Sequence, residues 1–148
     1  MDYRIPAVKL SMVRDGAVMA DRKVVTDSKG AVGIVRAMIG GNDREEFVAL
    51  LLDAKHKVVA VHSVAVGSLT MAIVHPREVF KAAIMANASA VIVAHNHPSG
   101  DPTPSQEDRQ LTARLVAAGE LIGITVLDHV IVGEGERFYS FADSGTMK

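Results

Sequence analysis

The segment from Ala90 to Asp108 constrains the fold more than any other part of the chain. It opens with a short apolar run, passes through His95 and His97, and then enters a stretch rich in Pro, Gly, Ser and Asp. Short apolar runs bounded by turn residues are typical of buried strands, and Ser, Thr or Asp before periodic apolar positions is typical of a helix start. The pattern therefore predicts a strand, a tight loop and a helix, with both histidines where the strand ends.

The two histidines predict a metal site. Side chains at i and i+2 of an extended backbone project to the same side, so His95 and His97 can hold one ion. Because the chain has no cysteine, any metal must be held by histidines and carboxylates. Asp108 is the nearest carboxylate that falls on an ordered element rather than in the loop. A catalytic zinc site needs such a third protein ligand and an open position for water.

The start of the following helix has two possible registers. In one, Ser105 and Asp108 form a capping box, which would make Asp108 part of the helix start. In the other, Thr103 is the N-cap and Pro104 takes the first helical position. We favour the second register, because Asp108 then lies inside the helix and is free to bind a metal.

The remaining pattern predicts an α/β fold, with a central mixed sheet flanked by helices. Asp15-Gly16 lies between two loosely alternating segments and predicts an opening two-stranded hairpin. We expect one domain over residues 1–148, with a core at about 28–141 and the hairpin as an extension over 1–27. The predicted helices are a short one after Thr26-Asp27-Ser28 that ends at Gly40-Gly41, then 76–87 and 106–118, the last ending at Gly119; the predicted strands are 45–52 paired with 58–66, a short run at 71–74, then 91–94, 122–127, 130–132 and 138–141.

Composition narrows the class of protein. No stretch approaches the roughly 20 apolar residues of a membrane helix, and the first residues lack the layout of a secretory signal. We therefore expect a cytoplasmic protein without a membrane partner. The formal net charge is −1, with no basic block, which leaves nucleic-acid binding possible but without electrostatic support.

The spacing His95-x-His97, seven residues, Ser105, two residues, Asp108 resembles the JAMM motif of the MPN/JAB metalloprotease family. The surrounding sequence is similar to the RadC-like branch of that family over about residues 28–141. The segments that carry this similarity are Arg44-Glu45-Glu46-Phe47, Leu52-Asp53, Gly67-Ser68-Leu69, His75-Pro76-Arg77-Glu78-Val79-Phe80, His95 to Gly100, Pro104-Ser105 and Leu127-Asp128-His129. The resemblance implies a single MPN/JAB-type domain.

The resemblance also implies a mechanism. One zinc ion per chain would be held by His95, His97 and Asp108, a glutamate on an earlier strand would be the general acid/base, and Ser105 would stabilise the oxyanion. Within the Arg-Glu-x-Phe segment, Glu45 stands at the position that is similar to that glutamate of the family. Glu46 remains the alternative, since both faces of the strand are apolar and periodicity does not choose between them. The implied activity is hydrolysis of a peptide or isopeptide bond in a peptide or protein substrate.

Two further interpretations stay open. Asp128-His129 could orient a metal-binding imidazole, as such partners often do, or could be a pair at a strand end. The rival to an enzyme is a DNA-repair-associated accessory protein that binds nucleic acid or a repair partner and holds a structural metal. Asn96 also stands where deubiquitinating relatives usually have Ser or Thr, and RadC-like proteins have Asn here.

Overall fold

A five-stranded mixed sheet forms the core of the protein. A computed structural model describes residues 1–67 and 74–147. The strand order is β2-β1-β3-β4-β5, in which only the β3–β4 pair is parallel, so the predicted α/β class with a mixed sheet is confirmed. In chain order the elements are α1 (Ser28–Ile39), β1 (Glu46–Leu52), β2 (Val58–Val66), α2 (Pro76–Met85), β3 (Ala90–Asn96), α3 (Gln106–Ile122), β4 (Thr125–Val132), β5 (Phe138–Ser140) and α4 (Phe141–Ser144).

The central strands β1 and β3 are covered on both faces. Alternate residues of β1 divide between two apolar clusters: Val48, Leu50 and Leu52 pack with α1, while the residues between them pack with α2 and α3. β3 is buried along its whole length and divides in the same way. Burial on both faces explains why these strands are nearly continuous apolar runs rather than alternating ones.

The helix starts follow the predicted chemistry. The Oδ1 atom of Asp27 accepts a hydrogen bond from the Gly30 N–H at 2.8 Å and caps α1. At α2, Pro76 takes the first helical position, where its missing N–H costs nothing, and His75 Nδ1 accepts from the Arg77 N–H at 3.1 Å. No helix in the described part of the chain is long and apolar enough to cross a membrane.

The predicted opening hairpin is wrong. Residues 1–20 contain no strand, and apolar side chains such as Tyr3 (81% exposed) and Ile5 (87% exposed) face solvent. Gly16 does adopt the positive φ of a turn, at +83°. An isolated two-stranded hairpin is marginal in water without a surface to pack on, and the described residues offer this segment none. The chain first joins the sheet through a bridge between Val24 and Lys57.

The predicted end of α3 at Gly119 is also wrong. The helix continues to Ile122 and ends at Gly123, which has a left-handed φ of +88°. Gly119 is a glycine for another reason: a Cβ there would collide with the backbone carbonyl of Ile124 and press on Phe80. The residue therefore permits close packing of the helix on the sheet, a requirement that looks like a helix stop in the sequence.

The C-terminal strands differ from prediction in their bounds. The two strands expected on either side of Asp128-His129 are one continuous strand, β4, because both polar residues are buried with hydrogen-bond partners. The short strand β5 ends at Ser140, since Phe141 begins α4. The apolar run predicted at 71–74 lies, apart from its last residue, outside the described residues.

Candidate metal centre

Three predicted side chains converge where β3 ends. His95 lies on β3, His97 follows it directly, and Asp108 lies in the first turn of α3. The His95 Nε2 and His97 Nε2 atoms are each 3.2 Å from one oxygen of the Asp108 carboxylate and 3.1 Å from each other. These atoms lie within 4.8 Å of one another, and the group could hold a metal ion.

The donor set fits a transition metal. Two imidazole nitrogens and one carboxylate oxygen are ligands that zinc accepts, whereas calcium and magnesium prefer oxygen alone. Three protein ligands leave a fourth tetrahedral position for water or substrate. The residues His95, His97 and Asp108 are therefore suited to an open site rather than a closed one.

Asp108 has two roles at once, which corrects the predicted helix start. Ser105, not Thr103, is the N-cap: Ser105 Oγ accepts from the Asp108 N–H at 3.0 Å, and Asp108 Oδ2 accepts from the Ser105 N–H at 2.9 Å. Thr103 instead donates to Asp101. A carboxylate has about four lone-pair positions, so Asp108 can complete the capping box and still face both histidines.

The charges of the site are strongly coupled. Burial alone raises the pKa of the Asp108 carboxyl, but the contacts of its two oxygens with His95 Nε2 and His97 Nε2 outweigh burial and hold that pKa well below its ordinary value. The bond to Asp108 is the main reason that the pKa of His97 is raised, and the charge of Glu45 adds to it. A cation that binds His97 therefore competes with a proton for the ring.

The structure separates the two candidate glutamates. Glu46 is committed elsewhere, because its carboxylate accepts from Asn42 Nδ2 at 2.9 Å and from Ser63 Oγ at 2.7 Å. Glu45 is half-buried, and its charge acts on His97. Of the two, Glu45 is the one that lies on the side of the metal centre.

Asn96 has a structural role in the site that the sequence did not reveal. Its buried side chain accepts from the Glu46 N–H at 2.7 Å and donates to the Arg44 carbonyl at 2.8 Å. These two backbone groups lie on either side of Glu45. Asn96 thus fixes the backbone that carries Glu45, and the only signal in the sequence was a polar residue between two histidines on a buried strand.

His129 lies against a predicted metal ligand. Its Nε2 atom is 2.9 Å from His95 Nδ1, and its Nδ1 atom is 2.6 Å from Thr112 Oγ1. The ring is fully buried and packs against Phe47 and Phe141. Burial lowers the pKa of His129 well below its ordinary value, which disfavours the charged form of the ring.

Asp128 and the imidazole of His95 both lie in the described part of the chain and share no hydrogen bond, so the predicted role of orienting a metal-binding ring is wrong for Asp128. Its Oδ2 accepts from Ser140 Oγ at 2.6 Å, and its Oδ1 accepts from the N–H groups of Ala142 and His129. Burial raises the pKa of its carboxyl. Asp128 stabilises the junction of β5 and α4 rather than a metal-binding ring.

Together, a mixed sheet and a His-x-His group completed by an aspartate at the start of the next helix define a domain of the JAB type. Residues 25–146 match the family model described as a RadC-like JAB domain. The chain belongs to this RadC-like JAB family.

Several curated relatives are similar over most of the chain. A UPF0758 protein of Rubrobacter xylanophilus is 46% identical over 95% of this chain and 60% of its own length. A second, from Caldanaerobacter subterraneus, is 50% identical over 82% of this chain and 52% of the relative. A third, from Symbiobacterium thermophilum, is 58% identical over 70% of this chain and 44% of the relative. The chain thus spans about half the length of these relatives.

Proposed function

We propose that the protein is a zinc-dependent metallohydrolase that cleaves a peptide or isopeptide bond. The observation that carries this proposal is the convergence of His95, His97 and Asp108, with Glu45 beside His97, in a domain of the JAB family. The charge of the Glu45 carboxylate acts on His97, and a carboxylate next to a three-ligand group is what hydrolysis needs and what a structural metal site does not.

Zinc is the proposed metal because the donor set is two imidazoles and one carboxylate. A bound zinc ion would lower the pKa of a coordinated water toward 7 and polarise the substrate carbonyl. His95, His97 and Asp108 would hold the ion, one per chain.

Glu45 is the proposed general acid/base. Its carboxylate accepts a proton from the attacking water as the new C–O bond forms, and returns that proton to the amine nitrogen as the C–N bond breaks. Glu46 is unsuited to this role, because two hydrogen bonds already occupy its carboxylate. The same proton is taken up and released, so Glu45 ends each cycle as it began.

Ser105 is proposed to stabilise the negative charge that develops on the substrate oxygen. Its Oγ accepts the hydrogen bond from the Asp108 N–H, which leaves the hydroxyl proton available for donation. The residue is exposed at the helix start, on the side that a substrate can reach. A donor placed in this way stabilises the transition state more than the ground state.

The proposed substrate is a peptide or a protein. The rival proposal, a DNA-repair-associated accessory protein, would need a surface that attracts nucleic acid or a repair partner, and the formal net charge of −1 gives it no electrostatic support. We therefore place hydrolysis first.

The Glu45→Gln variant tests this function. We expect zinc content to stay at one per chain, while hydrolysis of quenched fluorescent peptides and lysine-isopeptide-linked peptides falls by about 100-fold or more. Glu46→Gln is the matched control and should retain most activity. Full activity in Glu45→Gln would show that Glu45 is not the base; a wild-type protein with a closed four-ligand zinc shell and no hydrolysis would favour the accessory role.

A further inference from the structure

A buried series of hydrogen bonds runs through Thr112 and His129 and joins two of the proposed metal-binding residues, Asp108 and His95. Thr112 Oγ1 lies 2.8 Å from the backbone carbonyl of Asp108 and 2.6 Å from His129 Nδ1. His129 Nε2 lies 2.9 Å from His95 Nδ1. Thr112 is 1% exposed and His129 is fully buried, so water does not compete for these bonds.

The number of protons available shows which group donates and which accepts in each of these hydrogen bonds. A backbone carbonyl only accepts, so the Asp108 carbonyl must receive the single hydroxyl proton of Thr112. Thr112 Oγ1 must then accept from His129, which therefore carries its proton on Nδ1. The ring of His129 is buried between Phe47 and Phe141 and has no carboxylate hydrogen-bond partner among the described residues, so a charged ring there would be uncompensated and the imidazole has a single N–H. His129 Nε2 therefore accepts, and His95 must donate from its own Nδ1.

We propose that Thr112 and His129 are positioning residues that fix His95 in the Nδ1–H tautomer, which leaves the lone pair of its Nε2 facing the metal. The inference rests on the proposed metal site but not on hydrolysis. In this tautomer the His95 Nε2 lone pair lies 3.2 Å from an Asp108 carboxylate oxygen, so both atoms can bind one cation.

The opposite direction would block the site. If Thr112 donated to His129 Nδ1, His129 would donate from Nε2 and His95 would carry its proton on Nε2, where a metal must bind. The total number of protons is the same in both arrangements, so only their positions differ. The blocked arrangement, however, leaves two acceptor oxygens, Thr112 Oγ1 and the Asp108 carbonyl, 2.8 Å apart without a hydrogen between them.

Histidine tautomers can be observed directly. In metal-free protein labelled with ¹⁵N-histidine, NMR should show His95 and His129 each protonated at Nδ1 and unprotonated at Nε2, and zinc should leave both tautomers unchanged. Protonation of His95 at Nε2 in the metal-free protein would overturn the inference.

Thr112→Val, which keeps the shape and removes the hydroxyl, tests the origin of the tautomer. We expect His95 to populate both tautomers and zinc affinity, measured by competition with a chelating dye, to fall by about 10-fold or more. Thr112→Ser should restore both properties. The matched control is Thr125→Val, at an exposed threonine on β4.

Folding of each variant is checked by thermal unfolding, and Thr112→Ala replaces Thr112→Val if the latter does not fold. Wild-type zinc affinity and a wild-type His95 tautomer in the variant without the hydroxyl would overturn the inference. These readouts use zinc alone as the probe. A protein that shows them but hydrolyses no peptide would contradict the proposed function and leave this inference standing.

Discussion

The candidate metal centre has a buried half, made of His95, Thr112 and His129, and a more accessible outer half, made of His97, Glu45 and Ser105. The two halves are held in different ways. His95 is 2% exposed and bonded to a buried ring. His97 is half-buried, and its Nδ1 is bonded to the carbonyl of Asp101 in the loop at 2.8 Å. Packing therefore fixes one imidazole, whereas a loop and titratable neighbours hold the other.

The largest expected effect comes from replacing each histidine by alanine. His95→Ala and His97→Ala should both lose zinc, but only His95→Ala should lose about 1–3 kcal/mol of unfolding free energy in the metal-free protein, because His129 Nε2 is left buried without a partner. Zinc is measured by elemental analysis, and stability is measured by urea unfolding of the metal-free proteins.

Either of two results would break this comparison. Wild-type zinc content in His97→Ala would show that the residue is not a ligand. Equal losses of stability in the two variants would show that packing does not distinguish the halves.

Asn96→Ala should loosen the backbone around Glu45, in the outer half of the site, without removing zinc. The change leaves the Glu46 N–H and the Arg44 carbonyl unpaired, so the backbone around Glu45 loosens. We expect hydrolysis to slow by about 10-fold, since small displacements of a catalytic group have large effects on rate. Asn42→Ala is the matched control, because it removes the bond to the Glu46 carboxylate and a longer bond from the Arg44 N–H but spares the backbone bonds that Asn96 makes. Equal rates in the two variants would contradict the assigned role of Asn96.

The smallest expected effect is a pH dependence of the metal-free protein. The pKa of His97 is raised above 6.5 in the folded state, so its contribution to stability is present below about pH 6.5 and is lost as pH rises through the folded pKa. The difference in unfolding free energy between wild type and His97→Ala should be larger at about pH 5.5 than at about pH 8.5. A difference that grows with pH would contradict the pairing of His97 with Asp108.

Local patterns were enough to predict that His95, His97 and Asp108 come together, since they lie within one short segment whose elements follow from strand and helix rules. The same rules predicted α1, the β1–β2 pair and the class of fold. The pattern of apolar and polar residues could not decide between Glu45 and Glu46, because both faces of β1 are buried and its residues do not alternate in polarity.

Other failures have physical causes as well. The opening hairpin had a suitable turn but no surface to pack on, which only the fold could show. Thr112 and His129 are 17 residues apart and meet across α3 and β4, so no short-range pattern relates them. Asp108 was treated as either cap or ligand, although one carboxylate has enough lone pairs for both.

The position of β3, between antiparallel β1 and parallel β4, has a consequence for the timing of synthesis. His95 bonds to a residue 34 positions later, and Asn96 bonds to one 50 positions earlier. At the usual elongation speed of about 5–20 residues per second, His129 is made roughly two to seven seconds after His95. During that interval a nascent chain holds the ligand segment but not the ring that orients it, so the ligand geometry is a property of the finished sheet.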